Sequence, residues 1–309
     1  TGFSTTIPQF NPLDCTNNIL RKMEGLPYLS MKPYYKGFRG KIKKQVIKGT
    51  HRSDKYMTSG IYKIEGDKVI ITELPIGFWI HDFKEFLEKI IQEEDSWILD
   101  YENHSTDERV HFIIKINDET IFDNIYKTKD IIMEKLKLKK PISLTNLHLY
   151  NKEGVIRKYD TIYQIMDEHF YTRLSMYSKR KEFQLNNLDQ DISLLEAKMK
   201  FIQNVMDEVI VIYKQSKSSI IETLRGMKFP FYENNQINEY DNEITITNQY
   251  NYLLNISIYH FTLEKVDELE QEIITKKNDY ETLQSKDCKD IWKEEITLFE
   301  EKYKLWLKK

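Results

Sequence analysis

The sequence predicts an α+β protein, in which a mixed α/β front part precedes a long antiparallel coiled-coil arm with a small helical head. The distribution of glycine and proline is the first observation behind this prediction. Eight of the ten Gly and six of the seven Pro fall at or before residue 141, whereas residues 155–225 and 231–309 contain neither. Because Gly and Pro interrupt regular elements, the back part can sustain long helices. We therefore expect one domain over residues 1–150 and a second over residues 151–309.

Strand and helix patterns in the front part support a mixed domain. The stretch SGIYKIEGDKVIITELP (59–75) has two β-branched runs around a Glu-Gly-Asp turn and is typical of a hairpin. RVHFIIKI (109–116) and ISLTNLHLY (142–150) have the apolar, β-branched character of further strands. In HDFKEFLEKIIQEE (81–94) the apolar residues recur at helical spacing, so we expect a helix there.

Apolar stripes in the back part are the second observation, because a 3-4-3-4 spacing favours a partner helix along the stripe. The first stripe consists of Leu185, Leu188, Ile192, Leu195, Met199, Ile202, Met206 and Val209. A second stripe is interrupted at Lys276 and consists of Val266, Leu269, Ile273, Tyr280 and Leu283. If the helices run antiparallel, residues of about 210–258 form a head at the tip of an arm about 36 Å long, at ~1.5 Å per residue. An ordinary helical core is the alternative interpretation.

The last segment, SKDCKDIWKEEITLFEEKYKLWLKK, predicts a final helix. Ser or Asp can cap its start, and apolar residues recur along it at helical spacing. Two of them, Trp292 and Trp306, are tryptophans, which suggests that this helix docks against the arm or against the front domain.

Composition argues against several classes of function. No run approaches the roughly 18 apolar residues that span a bilayer, and no secretory signal is visible, so we expect no membrane partner. The opening residues lack an initiator Met, which leads us to expect a piece of a longer protein. Cys15 and Cys288 cannot form a disulfide framework.

Recognisable catalytic and metal-binding patterns are missing as well. The sequence has no Gly-x-x-x-x-Gly-Lys-Ser/Thr loop and no His or Cys cluster with metal-ligand spacing. The acidic pairs at 93–95 and 189–191 are more typical of solvated helix faces than of a divalent-ion site. We therefore expect neither catalytic nor metal-binding residues in this chain.

The stretch MKPYYKGFRGKIKK (31–44) carries the strongest functional signal. It contains six Lys and Arg, three aromatic residues and no acidic residue. From Arg21 to Tyr56, eleven Lys and Arg face two acidic residues, a local balance of +9 in a chain whose net charge is −3. Charge segregated in this way creates a local positive field that attracts an anionic partner.

Nucleic acid, an anionic membrane surface and an acidic protein are candidate partners for this charge, and a solvated loop rich in lysine is the fourth explanation. A membrane-surface helix is disfavoured because Pro33 and two glycines interrupt the stretch. Duplex DNA is favoured, because its dense phosphates reward Lys and Arg through counterion release. The three aromatic residues could stack on bases, but packing beneath a β-rich surface is the favoured interpretation.

Five segments resemble, in this order, segments of eukaryotic-type DNA topoisomerase II: GFSTTIPQFNP (2–12), MKPYYKGFRGKI (31–42), ITELPIGFWIHDFKEFLE (71–88), GVIRKYDTIYQIM (154–166) and YNYLLNISIYHFTLEKVDEL (250–269). They are similar to the family's Gly-Trp-Ser-Thr-x-Ile-Pro-x-(Phe/Tyr)-Asn, Glu-Leu-Pro-x-x-x-Trp and Tyr-x-Tyr-Leu-Leu patterns. DIWKEEITLFEEKY also resembles the end of the family's C-gate. The resemblance covers essentially the whole chain.

The resemblance implies part of an ATP-dependent enzyme that passes one DNA duplex through a transient double-strand break in another. The front domain resembles the tower beside the bent gate duplex, with the end of the winged-helix connection at 1–14. The back resembles the coiled-coil arm and the C-gate, where two copies meet and the transported duplex leaves. Magnesium and ATP are expected for the full enzyme and not in this fragment. The family's nucleophilic tyrosine follows an arginine, and none of the eight Arg here precedes a Tyr, so no residue receives a catalytic role.

Charge pattern and resemblance together give two sets of candidate site residues. We expect contacts with the phosphates of the gate duplex from Lys32, Lys36, Arg39, Lys41, Lys43, Lys44, Lys48 and Arg52. We expect the homodimer interface at Tyr250, Tyr252, Leu253, Leu254, Ile256 and Ile258. The second set could equally form the core of the head itself, because an apolar stretch is buried either by a partner or by its own domain.

Departures from the family pattern narrow the resemblance. Phe3 stands where Trp is usual, Ile80 follows Trp79 where Thr is common, and the head lacks an acidic insertion. With the Ile-, Asn- and Lys-rich composition, these departures indicate a large-DNA-virus member most similar to the African swine fever virus enzyme. A viral enzyme would act at replication sites in the host cytoplasm, and a cellular one in the nucleus. A non-enzymatic DNA-organising protein with a coiled-coil arm is the alternative function, against which the ordered motifs argue.

Overall fold

The computed structural model describes residues 3–45, 55–94, 96–116, 129–230 and 250–308. The chain divides into two compact units, Thr1–Thr172 and Arg173–Lys309, and the division falls inside one long helix. All strands of the described residues belong to the first unit, and the second is helical. The functional boundary between residues 150 and 151 stays a prediction, because a division by compactness does not test it.

The strands of the first unit form three antiparallel sheets. Their bounds are β1 (Lys41–Lys44), β2 (Lys55–Ser59), β3 (Ile61–Glu65), β4 (Lys68–Glu73), β5 (Ile98–Asn103), β6 (Phe112–Ile116), β7 (Lys139–Ser143), β8 (His148–Tyr150) and β9 (Ile156–Lys158). The strand orders are β1-β2-β7, β3-β4-β6-β5 and β8-β9. The predicted hairpin over 59–75 is confirmed as β3 and β4, which turn at Gly66 with φ +58°.

One predicted strand is wrong. Residues 142–150 do not form a single strand, because β7 ends at Ser143 and β8 begins at His148 in another sheet. The Ser143 hydroxyl lies 2.8 Å from the Thr145 hydroxyl and bends the chain between the two strands. Short polar side chains that bond locally favour turns in this way.

The main core of the first unit lies between the four-stranded sheet and the helices α2 (Ile80–Ile91) and α3 (Lys129–Lys135). Helical spacing places Phe83, Leu87 and Ile90 on the buried face of α2, as the sequence predicts for residues 81–94. Phe83 meets Phe112 of β6 edge to face, with 5.0 Å between the ring centroids.

A smaller core joins the N-terminal segment to the beginning of the long helix α4 (Ile162–Met206). Helix α1 (Pro12–Met23) begins with a proline at its first position, and the Asn11 side chain accepts a hydrogen bond from the Leu13 amide at 3.0 Å. The Asp167 carboxylate of α4 forms an ion pair with Lys22 at 2.7 Å and accepts a hydrogen bond from the Tyr28 hydroxyl at 2.8 Å.

The second unit pairs α4 with α7 (Leu263–Ser285). Contacts at higher numbers on α7 fall at lower numbers on α4, so the two helices are antiparallel. Ile202 packs against Val266 and Leu269, Asp191 lies 2.6 Å from Lys276 Nζ, and Lys181 Nζ donates to the Gln284 carbonyl at 2.9 Å. Lys276, the interruption in the second apolar stripe, therefore finds a carboxylate on the partner helix.

The first stripe is one residue too long in the prediction. Helix α4 ends at Met206, and Val209 lies beyond it with 59% of its surface exposed. Glu208 takes φ +59°, which ends the helix before the heptad pattern ends.

The head contains α5 (Lys217–Gly226), α6 (Asn251–Leu254) and a single 3-10 turn (Ile258–His260). Ser216 caps α5 by accepting a hydrogen bond from the Ser219 amide at 3.2 Å. The head core consists of Ala197, Phe201, Ile210, Ile220, Ile221, Leu224, Phe229, Tyr250 and Leu253.

The predicted final helix is confirmed as α8 (Cys288–Leu307), which Asp287 caps. Trp292 stacks on Tyr177 of α4 with 5.4 Å between the ring centroids, and Arg180 lies 2.6 Å from Glu295. Trp292 therefore packs on the arm helix, whereas half of the Trp306 surface is exposed. Across the described residues, no helix combines the length and the apolar character that crossing a membrane requires.

Candidate nucleic-acid interface and head surface

Two glycines set the path of the basic stretch. Gly37 takes φ +83°, a backbone conformation that glycine adopts without steric cost. At Gly40 a Cβ atom would lie 2.2 Å from the Ser59 carbonyl oxygen and 2.4 Å from the Phe38 ring. The chain can therefore turn at Gly37 and enter β1 in close contact with β2 only because both positions lack a side chain.

The three-stranded sheet presents lysines on one face. Tyr56 and Thr58 of β2 are buried, so the opposite face of this strand carries Lys55, Met57 and Ser59. Residues paired across neighbouring strands point to the same face, and the register pairs Ser59 with Lys41 and with Lys139, and Met57 with Lys43. We call this surface the cationic sheet face; its lysines are Lys41, Lys43, Lys55 and Lys139.

The spacing on the cationic sheet face suits a line of phosphates. Lys41 and Lys43 are two residues apart on an extended strand, about 7 Å, and Lys41 and Lys139 flank one intervening strand, about 10 Å apart. No Asp or Glu occupies this face of the three strands. Within the described part of the chain, no carboxylate is paired with Lys41 or Lys43.

Sequence reasoning missed two of these four lysines. Lys55 follows the basic stretch by eleven residues, and Lys139 lies about a hundred residues away in the sequence. Only the pairing of β2 with β7 brings Lys139 beside Lys41. The signal that could have found Lys139 is a second lysine-rich run, KLKLKK (135–140).

Arg39 has a partner within the protein. Its Nε lies 3.1 Å from Glu73 Oε2, and its Nη2 donates to the Thr72 carbonyl at 2.8 Å. The side chain remains 59% exposed. Arg39 therefore ties the basic stretch to the end of β4, and a contact with DNA, which stays a prediction, would add to this role.

The other predicted contacts are dispersed. Lys32 and Lys36 are exposed in the loop before β1, and Lys44 is exposed at the end of this strand, paired with Tyr56. Two further predicted contacts lie outside the described residues: Lys48 and Arg52.

The aromatic residues of the basic stretch are half-buried, in agreement with packing beneath the surface. The Phe38 ring lies against Gly40, and burial raises the pKa of the Tyr35 hydroxyl above its ordinary value. The Tyr34 amide donates to the Gln9 carbonyl at 2.8 Å and holds the loop against the N-terminal segment. These contacts leave the lysines as the part of the stretch that faces solvent.

Two of the predicted dimer residues lie in the core of the head. Tyr250 is 1% exposed and Leu253 is 0% exposed within a single chain. The Tyr250 hydroxyl donates to the Phe229 carbonyl at 3.2 Å, and the Tyr252 hydroxyl to the Pro230 carbonyl at 2.5 Å. Burial raises the pKa of both tyrosines. Tyr250 and Leu253 therefore fit the alternative of a head core, and their part in a dimer interface stays a prediction.

The remaining predicted dimer residues differ in exposure. Tyr252, Leu254 and Ile256 are partly buried against the head core, whereas Ile258 is 79% exposed. Sequence reasoning missed its neighbour Tyr259, which is 86% exposed. Ile258 and Tyr259 both lie in the 3-10 turn Ile258–His260. We call these two residues the apolar turn.

A second segment of the head also exposes apolar side chains. Residues 209–213, VIVIY, alternate: Ile210 and Ile212 pack into the head core, and Val209, Val211 and Tyr213 are 59%, 55% and 77% exposed. The outward residues of such a segment are normally polar. An exposed apolar row therefore indicates a surface that another molecule covers.

A comparison with models of protein families identifies the family of this chain. The family described as the A-subunit of DNA gyrase/topoisomerase IV matches residues 1–297. The chain belongs to this type IIA topoisomerase family.

Individual relatives agree with this assignment. The chain is 33% identical to a DNA topoisomerase 2 of Penicillium chrysogenum over 97% of its length, and 30% identical to that of Acanthamoeba polyphaga mimivirus over 98%. A solved structure of the Plasmodium falciparum topoisomerase II DNA-binding, cleavage and re-ligation domain superposes on the whole chain with a TM-score of 0.85 at 30% identity. The chain therefore has the mixed α+β fold of a topoisomerase II cleavage core.

The chain corresponds to only part of its topoisomerase relatives. It spans 19% of the Penicillium protein, 28% of the mimivirus protein and 44% of the solved Plasmodium chain. Its position within the whole enzyme is therefore a matter for inference from its surfaces. The topoisomerase family model matches nearly the whole chain. The alternative of a non-enzymatic DNA-organising protein is therefore not favoured.

The described residues of this topoisomerase chain do not assemble a metal site. Among them, no group of three or more His, Cys, Asp and Glu side chains is placed to hold an ion. Asp191, one of the acidic residues considered from the sequence, is paired with Lys276.

Proposed function

We propose that this chain is the part of a homodimeric DNA topoisomerase II that supports the bent gate duplex and forms the exit gate. Residues 1–150 are the tower domain, with the end of the winged-helix connection at 1–14. Residues 151–309 are the coiled-coil arm and C-gate, with the head at about 210–258. The cationic sheet face is the observation that carries the proposal, because its three described strands place four lysines and no acidic residue on one face.

The cationic sheet face binds the duplex through its phosphates. Lysine contacts with phosphate fix the position of DNA without reading its sequence, so we expect binding of similar strength to duplexes of any sequence. Each phosphate that is neutralised releases counterions, so four engaged lysines give a log-log salt slope near −3.6, at ~0.9 per phosphate. Lys32, Lys36 and Lys44 add positive charge to the basic stretch, and DNA contacts of Lys48 and Arg52 remain part of the proposal.

The dimer forms through exposed residues of the head and not through the residues of its core. The apolar turn, with Ile258 and Tyr259, replaces the buried Tyr250 and Leu253 as the surface that meets a second copy. In a two-fold dimer the same patch from each chain meets itself, so two copies of the turn are buried together. Val209, Val211 and Tyr213 supply further apolar area on the same head.

In this proposal the antiparallel pair of α4 and α7 is the arm, and the head lies at its end. Its apolar contact at Ile202, Val266 and Leu269 continues into charged contacts of Asp191 with Lys276 and of Glu196 with Lys277. Such a seam holds the two helices in one register, because apolar side chains supply the stability and charged pairs penalise a shifted pairing. The arm can therefore transmit a displacement of the head as a stiff element.

The cleavage chemistry and its cofactors belong to other parts of the whole protein. We assign no catalytic residue to this chain, and ATP and magnesium act in modules outside it. The Acanthamoeba polyphaga mimivirus relative supports a viral source, and the narrower resemblance to the African swine fever virus enzyme is part of this proposal. A viral enzyme would work at cytoplasmic replication sites of the host, and a cellular one in the nucleus.

Binding of a fluorescent duplex to the 309-residue chain tests the DNA part of the proposal. We expect the double charge reversal Lys41→Glu and Lys43→Glu to weaken binding by at least tenfold, because it removes two phosphate contacts and adds two repulsive charges. The control variant is Lys63→Glu, since Lys63 is an exposed lysine of β3 in the other sheet. Equal loss in both variants, or no loss in either, would refute the assignment of the site to the cationic sheet face.

A further inference from the structure

A basic groove, separate from the cationic sheet face, lies at the end of β4 and at the connection between β5 and β6. Its volume is about 560 Å³. The polar side chains that line it are Arg39, Thr72, His104, Thr106, Arg109 and His111. Among the described residues, no Asp or Glu lines this groove. A groove lined by guanidinium, imidazole and hydroxyl groups repels cations and offers hydrogen-bond donors to an anion.

Backbone hydrogen bonds hold the β5–β6 connection in shape. The His104 amide donates to the His111 carbonyl at 2.8 Å, and the Thr106 amide to the Arg109 carbonyl at 2.8 Å. The Arg109 amide donates to the Thr106 hydroxyl at 3.2 Å. The main chain of Arg109 is therefore fixed, while its side chain is exposed and, within the described residues, has no ion-pair partner. The backbone therefore fixes where this side chain starts, and the guanidinium is accessible to a ligand.

Two carboxylates next to lining residues of the groove have partners of their own. Glu73 is bonded by Arg39, and Glu102 lies 2.8 Å from His104 Nε2. The hydrogen bond from His104 holds the pKa of Glu102 below its ordinary value, so this carboxylate stays ionised and paired. Asp107 and Glu108 lie in the same connection but do not line the groove. The surplus positive charge of the groove therefore rests on Arg109.

We propose that this groove binds a phosphate of the duplex backbone and extends the cationic sheet face by one contact. The inference rests on the proposed function. Arg39 connects the two surfaces, because it lines the groove and lies two residues before Lys41, the first residue of β1. Arginine is suited to this ligand, since its planar guanidinium donates two parallel hydrogen bonds to one phosphate.

Substitution of Arg109 tests the proposal. We expect Arg109→Gln to weaken binding of a fluorescent duplex about fivefold and to reduce the log-log salt slope by about 0.9, as the loss of one phosphate contact requires. Arg109→Lys retains the charge and should retain most of the slope. Lys63→Gln removes a charge from the same sheet outside the groove and should change neither quantity. Thermal unfolding should be equal in all variants, because the backbone bonds of Arg109 remain.

Two results separate this proposal from the proposed function. If Lys41→Gln and Lys43→Gln lower the slope and Arg109→Gln does not, the groove is not a DNA contact, although the proposed function stands. If the parent chain binds no duplex under any salt condition, both proposals fail. A titration with inorganic phosphate, followed through the histidine ring resonances, tests a third case. Phosphate binding that Arg109→Gln abolishes without a change in the DNA slope would overturn the duplex proposal in favour of a free anion.

Discussion

In both the cationic sheet face and the exposed surface of the head, alternate residues of a segment point inward and outward. The outward residues are charged on the sheet face and apolar on the head. In β2 the inward residues are Tyr56 and Thr58, and the outward row of the sheet carries lysines. In residues 209–213 the inward residues are Ile210 and Ile212, and the outward row is valine and tyrosine. An outward lysine is satisfied by water, whereas an outward apolar side chain is stabilised only when a partner covers it.

The two surfaces can use different forces to bind a partner. In the proposed function the sheet face has little apolar area to bury, so its affinity for DNA comes from phosphate contacts and decreases as salt rises. The apolar turn and the outward residues Val209, Val211 and Tyr213 carry no charge, so the proposed association through them gains from burial and responds weakly to salt. Salt concentration therefore separates the two functions in one chain.

Truncation of the head core should have the largest effect on stability. Leu253 is fully buried, so Leu253→Ala should lower the free energy of unfolding by about 2–5 kcal/mol through lost burial and a cavity. Leu263 is 70% exposed and provides a matched control, and Leu263→Ala should change this free energy by less than about 0.5 kcal/mol. Denaturant unfolding measures both. Equal effects would mean that Leu253 belongs to an interface after all.

Charge on the apolar turn should have the next largest effect. The double substitution Ile258→Glu and Tyr259→Glu should raise the dimer dissociation constant about a hundredfold, because it places four charges in a two-fold interface. Sedimentation equilibrium measures this constant. The control Gln203→Glu adds a charge at an exposed position of α4 and should leave it unchanged. A dimer that survives the double substitution would move the interface elsewhere.

Loss of Lys139 should have a smaller effect, on the binding of duplex DNA to the sheet. Because Lys139 lies beside Lys41 only in the folded sheet, Lys139→Gln should weaken duplex binding about fivefold, as much as Lys41→Gln does. Fluorescence anisotropy at fixed salt measures both variants, with Lys63→Gln as the control. If only Lys41→Gln weakens binding, DNA contacts the linear basic stretch and not the sheet face.

The smallest effect concerns pH. Hydrogen bonds from the Tyr159 hydroxyl and the Lys152 amide hold the pKa of Glu168 below its ordinary value of 4.5. A lowered pKa adds stability that is complete above pH 4.5 and is lost as pH falls through the folded pKa. Glu168→Gln should therefore melt at a lower temperature at neutral pH and converge with the parent chain at acidic pH. A constant difference between the two melting curves at every pH would contradict this linkage.

Local patterns in the sequence were sufficient for elements that bury one face. The helical spacing of Phe83, Leu87 and Ile90 predicted α2, and the Glu-Gly-Asp turn predicted the β3–β4 hairpin. The same logic failed for residues 142–150, because a turn within an apolar run breaks no periodicity.

The candidate site was predictable only in part, because pairing between distant strands decides its composition. The basic stretch identified Lys41 and Lys43, but Lys139 joins them only through the register of β2 with β7. In the head, an apolar run in the sequence does not tell inside from outside. Tyr250 and Leu253 are therefore core, while Ile258 and Tyr259 are exposed, within ten residues of one chain.

The salt dependence of duplex binding shows whether the cationic sheet face contacts DNA phosphates. The parent chain and the variant with Lys41, Lys43, Lys55 and Lys139 all replaced by Gln are compared across a range of salt concentrations. If these four lysines each neutralise one phosphate, the slope of log affinity against log salt is lower in magnitude by about 3.6 in the variant. An unchanged slope would contradict the account, whatever the fold and the family of the chain.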